Sequence, residues 1–287
     1  IFLKFFELRG FSMIRQLNKI LLAGALTLLM GTSLEVRAEE ENKIPERIVT
    51  TNWDTPFYAG PSKQLDTGYV ISEDTELPVI SDIQSDDGMY YLIDMNGIIG
   101  YVQYFACTKC IPEYKYIDSS TIATPSFVVL DGDIIDNSYN ELIKYYEMVP
   151  EKIREQYQNE GFIVKMTGYP IVDEAYAPYG GYKGEGIVDA CFDYVLKKLL
   201  VNDENPVNVI HEMGHYVNDK LNIMGRQKNK DLFNTEAARI SRYAVSKPNE
   251  YFAECFDLYI RYPEALKIIS PASYVMINEA IYEFESL

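Results

Sequence analysis

Apolar positions change period along this chain, and the change marks two regions. From about Ile48 to Ala106, short apolar runs alternate with polar residues and break at Gly, Pro, Asp and Asn every few positions. "FYAGPSKQ", "ELPVISDI" and "GMYYLIDMNGIIGYVQYF" are rich in β-branched and aromatic side chains, which favour strands. Asp94-Met95-Asn96-Gly97 between two apolar runs is a hairpin signal. Five or so closely spaced strands predict a small β-barrel over residues 39–112. "CTKCIPEYKYIDSSTIATP" reads as connecting chain, with the linker placed at 113–124.

Beyond Pro125 the period lengthens. "FVVLDG" predicts a buried strand, and Asp136 or Asn137 can cap a helix through "SYNELIKYYEMV". Pro150 starts a second helix that ends at Gly161, and "FIVKMTG" returns to a strand. "CFDYVLKKLLVN" fits either a helix or a hairpin turning near Leu196-Lys197. Pro206 stands at the first position of a further helix, with Asp203 to Asn205 able to cap it, and the remainder is helical. Residues 125–287 are thus expected to form an α+β domain with a mixed sheet, an active-site helix and a helical C-terminal half. The sequence contains neither internal repeats nor low-complexity tracts.

With 287 residues, 47% of them apolar, the chain can bury a substantial core. Its 26 basic and 43 acidic residues argue against nucleic acid or an anionic membrane surface as partner. From Met13, "MIRQLNK" supplies Arg15 and Lys19 before the uncharged "ILLAGALTLLM", and Val36-Arg37-Ala38 is a small-residue cleavage signal. That run of eleven is short against the ~20 residues of a spanning helix. Residues 1–38 are therefore read as a gene-model extension plus a signal peptide, and the protein is expected to be secreted or cell-wall-associated, with no stable membrane span. Without them 21 basic face 41 acidic residues, because the segment holds five and two.

Cys107 and Cys110 form a lone C-x-x-C with no second pair to complete a structural zinc site. A short-loop disulfide or two plain thiols is the expectation, and Cys191 and Cys255 read as small buried residues.

The only two histidines lie in "IHEMGHYV". On a helix, His211 and His215 share one face about 5–6 Å apart at Cβ, close enough for both imidazoles to meet one zinc ion. Glu212 is turned away from that point and can act as general base on a water. Gly214 costs a helix interior ~1 kcal/mol against alanine, which predicts close approach by another element. A catalytic zinc needs a third protein ligand, and with no histidine left it must be a carboxylate or thiol. "KPNEYFAECFDLYI" offers Glu250 and Glu254, four apart on an otherwise apolar stripe where unpaired acids are costly.

Two resemblances follow. "AGPS" and "NGIIGYVQ" are similar to the opening and closing motifs of bacterial Src-homology-3-like domains, with Tyr101 in place of the usual Trp. Tyr90, Tyr91, Tyr101 and Tyr104 would then offer a face for cell-wall peptide, or fill the barrel core. "VIHEMGHYVND" and "ISRYAVSKPNEYFAECFDLYI" resemble the protease domain of anthrax lethal factor and the secreted Pro-Pro endopeptidases, over roughly Pro125 to Leu287. This second resemblance implies a zincin-type fold, one Zn2+ on His211, His215 and Glu250, and Glu212 as general base. It also implies Tyr243 as donor to the developing oxyanion and Glu254 as the acid that orients a ligand. It turns "CFDYVLKKLLVN" into a hairpin whose edge takes substrate as an added strand. Met213, Tyr216 and Cys255 differ from that family's usual residues, at packing positions.

The reading is a secreted zinc endopeptidase acting on extended segments of protein or peptide substrates. The alternative is a cell-wall or surface binding protein with an inactive metalloprotease-like domain, which would have no use for a base and an oxyanion donor. A thermolysin-like enzyme is disfavoured, since neither an aspartate four residues after the glutamate ligand nor a third histidine is present.

Overall fold

Residues 47–109, 114–181 and 188–287 are described by the computed structural model. The expected signal segment and Cys110 lie outside them. Two compact units divide the chain, Ile1–Cys110 and Ile111–Leu287.

In the first unit the alternating pattern gives seven strands: β1 (Ile48–Thr51), β2 (Thr55–Tyr58), β3 (Asp66–Ile71), β4 (Glu76–Ser85), β5 (Gly88–Met95), β6 (Ile98–Gln103) and β7 (Cys107–Lys109). Asn96 and Gly97 turn β5 into β6 with φ of 55° and 87°, and the Gly97 N–H donates to Asp94 Oδ1 at 2.6 Å. This is the hairpin expected from Asp-Met-Asn-Gly. Gly100 is required by packing, because a Cβ there would lie 2.0 Å from the Phe57 ring.

All pairings in this unit are antiparallel, in the order β3-β2-β6-β5-β4-β1-β7. A register shift between Val79 and Ser81 inserts a bulge in β4. The bulge bends the strand, so that its start pairs with β1 and its remainder with β5. Val49, Phe57, Ile71, Leu77, Val79, Tyr91, Ile93 and Val102 pack on the inner side. The expected small barrel is not closed. Among the described residues, β3 and β7 end the order without pairing to each other, which leaves an open, bent sheet. The four tyrosines also resolve toward packing. Tyr90, Tyr91 and Tyr101 are buried, and Tyr104 packs partly buried against the core.

The second unit begins with β8 (Tyr116–Asp118), β9 (Val128–Asp131) and β10 (Asp133–Ile135), followed by α1 (Ser138–Met148) and α2 (Glu151–Asn159). Asn137 precedes α1 in the left-handed region, but its side chain bonds Asn140 and Glu141 instead of a backbone N–H. Gly161, at φ 78°, leads out of α2 into β11 (Ile163–Thr167). Then come α3 (Val172–Tyr176), β12 (Ala190–Asp193) and β13 (Lys198–Asn202). The ambiguous segment is therefore a hairpin, turning through Lys197 at φ 50°. The mixed sheet runs β12-β13-β11-β9, with β9, β11 and β13 parallel and β12 antiparallel at the edge.

Five helices complete the unit: α4 (Asn208–Leu221), α5 (Gln227–Ile240), α6 (Pro248–Arg261), α7 (Pro263–Ile269) and α8 (Pro271–Glu285). The last three each open on proline, whose fixed φ suits the first turn. α4 starts two residues after Pro206, because Pro206-Val207 form a turn. Behind α4, the rings of Tyr146, Tyr157, Phe162, Phe192, Tyr216 and Phe284 interlock, with Tyr157 edge-on to Tyr216 at 5.2 Å. Among the described cysteines, Cys191 is half-buried and Cys255 buried, and neither is bridged. Among the described residues no helix is long and apolar enough to cross a membrane.

Candidate metal centre

α4 buries Val209, Ile210, Met213, Tyr216 and Val217 against the unit's interior. His211 and His215 lie one turn apart and half-buried, with ring centroids 4.9 Å apart. α6 crosses α4 at Gly214, where a Cβ would meet Ala253 Cα and Phe256 Cβ at 3.0 Å each. The glycine is thus the point of closest approach, as its helical cost suggested. That approach carries the first turn of α6, with Glu250, up to the histidines.

One carboxylate oxygen meets both rings. Glu250 Oε2 lies 3.3 Å from His211 Nε2 and 3.2 Å from His215 Nε2. Ligands ~2.0–2.1 Å from a tetrahedral zinc stand roughly 3.3–3.4 Å apart, so these spacings match the edges of such a polyhedron. Among the described residues this trio is the group of His, Cys, Asp and Glu whose ligand atoms converge, all within 4.8 Å of one another. The donor set, two imidazoles and a carboxylate, fits zinc.

Glu254 stands one turn further along α6, and its Oε1 lies 3.0 Å from His211 Nδ1. A carboxylate can only accept, so the Nδ1 proton points to Glu254, which leaves Nε2 to face the cation position it would share with Glu250. Burial resists ionisation of Glu254, yet hydrogen bonds from His211 and Ser241 hold its carboxyl below the usual range. Glu250 is likewise opposed by burial, and the two histidines hold it well below. Burial pushes His211 down, but bonds to Glu250 and Glu254 carry it well above its ordinary value. The site is organised to hold positive charge.

Glu212 is buried, and burial raises its carboxyl above the usual range. The histidines oppose that shift, as does the nearby Phe192 N–H on β12. A carboxyl raised in this way is better matched to proton transfer near neutrality. Tyr243 leads off α5 in the turn before α6, with its ring centroid 5.9 Å from that of His211. Its side chain is 56% exposed. Burial of its contact side and the charges of Glu250 and Glu212 raise the phenol, so it remains a proton donor near neutral pH.

His211, Glu212, His215, Tyr243, Glu250 and Glu254 are therefore brought to one place. Sequence reasoning missed Ser241 and the Phe192 N–H. The first is one serine at a helix end, and the second depends on a strand pairing that residue types do not reveal.

Residues 168–280 match the family model described as anthrax toxin lethal factor, N- and C-terminal domain. All six clustered side chains fall within that span. A search of curated proteins finds no match. Among solved structures, the Pro-Pro endopeptidase from Paenibacillus alvei is similar at 24% identity, covering 53% of this chain and 96% of its own, with a TM-score of 0.45.

Proposed function

We propose that the second unit is a zinc-dependent endopeptidase of the lethal factor type, acting on extended segments of protein or peptide. The observation that carries the reading is the convergence of His211, His215 and Glu250 at tetrahedral edge spacing beside a buried Glu212. The family match over the same residues supports it.

In this reading His211, His215 and Glu250 hold one zinc ion, which when bound supplies Lewis acidity to water and to the scissile carbonyl. Glu212 accepts the proton of the attacking water at its carboxylate and returns it to the departing amine nitrogen. Tyr243 donates a hydrogen bond from its phenol to the carbonyl oxygen as negative charge develops there. Glu254 fixes the tautomer and direction of His211.

The edge strand gives the substrate a place to lie. Asn202 N donates to Asp189 O, so alternation along the pair turns the backbone groups of Ala190 and Phe192 outward. Among the described residues β12 has no partner on that side. Ala190 and Phe192 are thereby left to pair with an extended peptide. We further propose export, on the charged, apolar and small-residue order of residues 13–38.

The test is a cleavage-site profile of a complex peptide library, read by mass spectrometry. The zinc-loaded protein should cut it, and both the chelator-treated protein and Glu212→Ala should not. Cleavage that survives metal removal would contradict the reading.

A further inference from the structure

We propose that Tyr251 is a positioning residue: through a buried chain of hydroxyls it fixes the rotation of α6 about its own axis, and so the direction in which Glu250 points. The inference rests on the ligand role proposed above for Glu250.

Tyr251, Ser270 and Ser273 are each wholly buried. The Tyr251 hydroxyl lies 2.6 Å from Ser273 Oγ, which lies 2.5 Å from Ser270 Oγ, and Ser270 donates to Glu236 Oε2 at 2.9 Å. The acceptor at the end sets every proton. Ser270 has one O–H and gives it to Glu236, so it can only accept from Ser273. Ser273 then has no proton left, and it accepts from Tyr251. The chain therefore runs from Tyr251 on α6, through Ser273 and the cap residue Ser270 of α8, to Glu236 on α5. The Tyr251 ring also meets the Phe233 ring of α5 edge-on, with centroids 5.9 Å apart, so ring and hydroxyl are both seated.

Tyr251 and Asn249 flank Glu250 in sequence, and each stands about 100° from it around the helix. Asn249 is tied as well. Its Oδ1 accepts from Asn218 Nδ2 of α4 at 3.4 Å, and the Met224 N–H holds Asn218 Oδ1 at 2.9 Å. The crossing at Gly214 sets how near α6 comes to α4, but not how α6 is turned. A carboxylate roughly 6 Å from the helix axis swings about 1 Å when the helix turns by about 10°. Metal–ligand distances tolerate only about 0.2 Å. The tethers beside Glu250 thus keep its Oε2 at 3.3 Å and 3.2 Å from the two histidines. The hydroxyl chain is the shorter and more buried of the two tethers, so Tyr251 supplies most of the hold.

The experiment uses the whole protein, in the native form and as Tyr251→Phe, Ser273→Ala, both together, and Tyr157→Phe. The last is a control, because it removes another buried tyrosine hydroxyl, one that belongs to α2 and bonds Ile163 O at 2.8 Å. Zinc affinity is read by chelator competition, and amide exchange over residues 251–254 is read by mass spectrometry on zinc-free protein. Tyr251→Phe should weaken zinc binding about 5-fold, the worth of one net hydrogen bond, because only the correctly turned fraction binds tightly. Its 251–254 amides should exchange faster than native. Ser273→Ala should do the same, and the double variant should fall no further than either, since both break one bond. Tyr157→Phe should melt lower than native yet keep zinc affinity within about twofold.

Zinc affinity of Tyr251→Phe within about twofold of native would overturn the proposal. So would an equal loss in Tyr157→Phe, which would mark a general effect of stability. Should Tyr251→Phe fail to fold, Ser273→Ala carries the same expectations. Failure of the zinc reading shows separately, as a native protein that binds no zinc. Exchange over 251–254 then decides for Tyr251, and unchanged exchange overturns it.

Discussion

At the scale of single residues, the proposed reading gives each polar group around His211 one task. Glu212 approaches the reaction from beside the ligand trio and not as part of it, so its loss belongs to chemistry. Glu212→Ala should keep stoichiometric zinc and the native melting temperature while kcat falls on the order of 10²-fold or more. Near-native turnover of a purified, zinc-loaded variant would remove it as the base. Tyr243→Phe deletes one hydroxyl from a half-exposed ring and costs little packing. It should lower kcat by roughly 10–10³-fold with little change in KM, and an effect confined to KM would make Tyr243 a substrate-binding residue. These residues were legible in the sequence because helical spacing alone puts His211 with His215 and Glu250 with Glu254. Their convergence was expected only through the family resemblance, since no local pattern states that α6 crosses α4 at Gly214 with Glu250 facing the histidines.

At the scale of elements, that crossing is the structural cause of the site. Alanine at 214 gains ~1 kcal/mol in helix propensity. It must also displace Ala253 and Phe256 from 3.0 Å contacts, and overpacking of a filled core costs about 1–3 kcal/mol. The second effect should win. Gly214→Ala should melt lower than native and bind zinc more weakly, because α6 moves away from α4; a variant as stable and as tight as native would separate the crossing from the site. A second contact secures the other side of α4, where Glu160 at the end of α2 meets Lys220 and Tyr216. Burial works against its charge, but bonds from Lys220, Gln156 and Tyr216 leave the carboxyl below its ordinary value. A depressed carboxyl stabilises the fold above its unfolded value, about 4.3, and loses that contribution as pH falls through the folded value. The melting difference between native protein and Glu160→Gln should therefore be largest near pH 7 and shrink below about pH 4. A difference that is constant or grows on acidification would contradict this. The hairpin of β12 and β13 shows why elements are harder to read than residues. Its apolar run suits a helix or a strand equally, and only pairing with β11 decides.

At the scale of the whole molecule, the two units have separate cores, and every proposed catalytic group lies in the second. A fragment from Ser119 to Leu287 should fold, bind zinc and cleave a short peptide by itself. One that folds and holds zinc yet cleaves nothing the full chain cleaves would show that the first unit contributes to activity. In that first unit the strands and the Asn96-Gly97 turn were legible from alternation and turn chemistry. The open sheet was not, because closure depends on how the bulge near Ile80 bends β4 and on whether end strands meet, and neither is written in residue pattern. The central claim is that His211, His215 and Glu250 together hold one zinc ion. Elemental analysis after dialysis against a weak chelator tests it most directly. Native protein should retain one zinc per chain and His215→Ala none, whereas stoichiometric zinc in the His215→Ala protein would contradict the account.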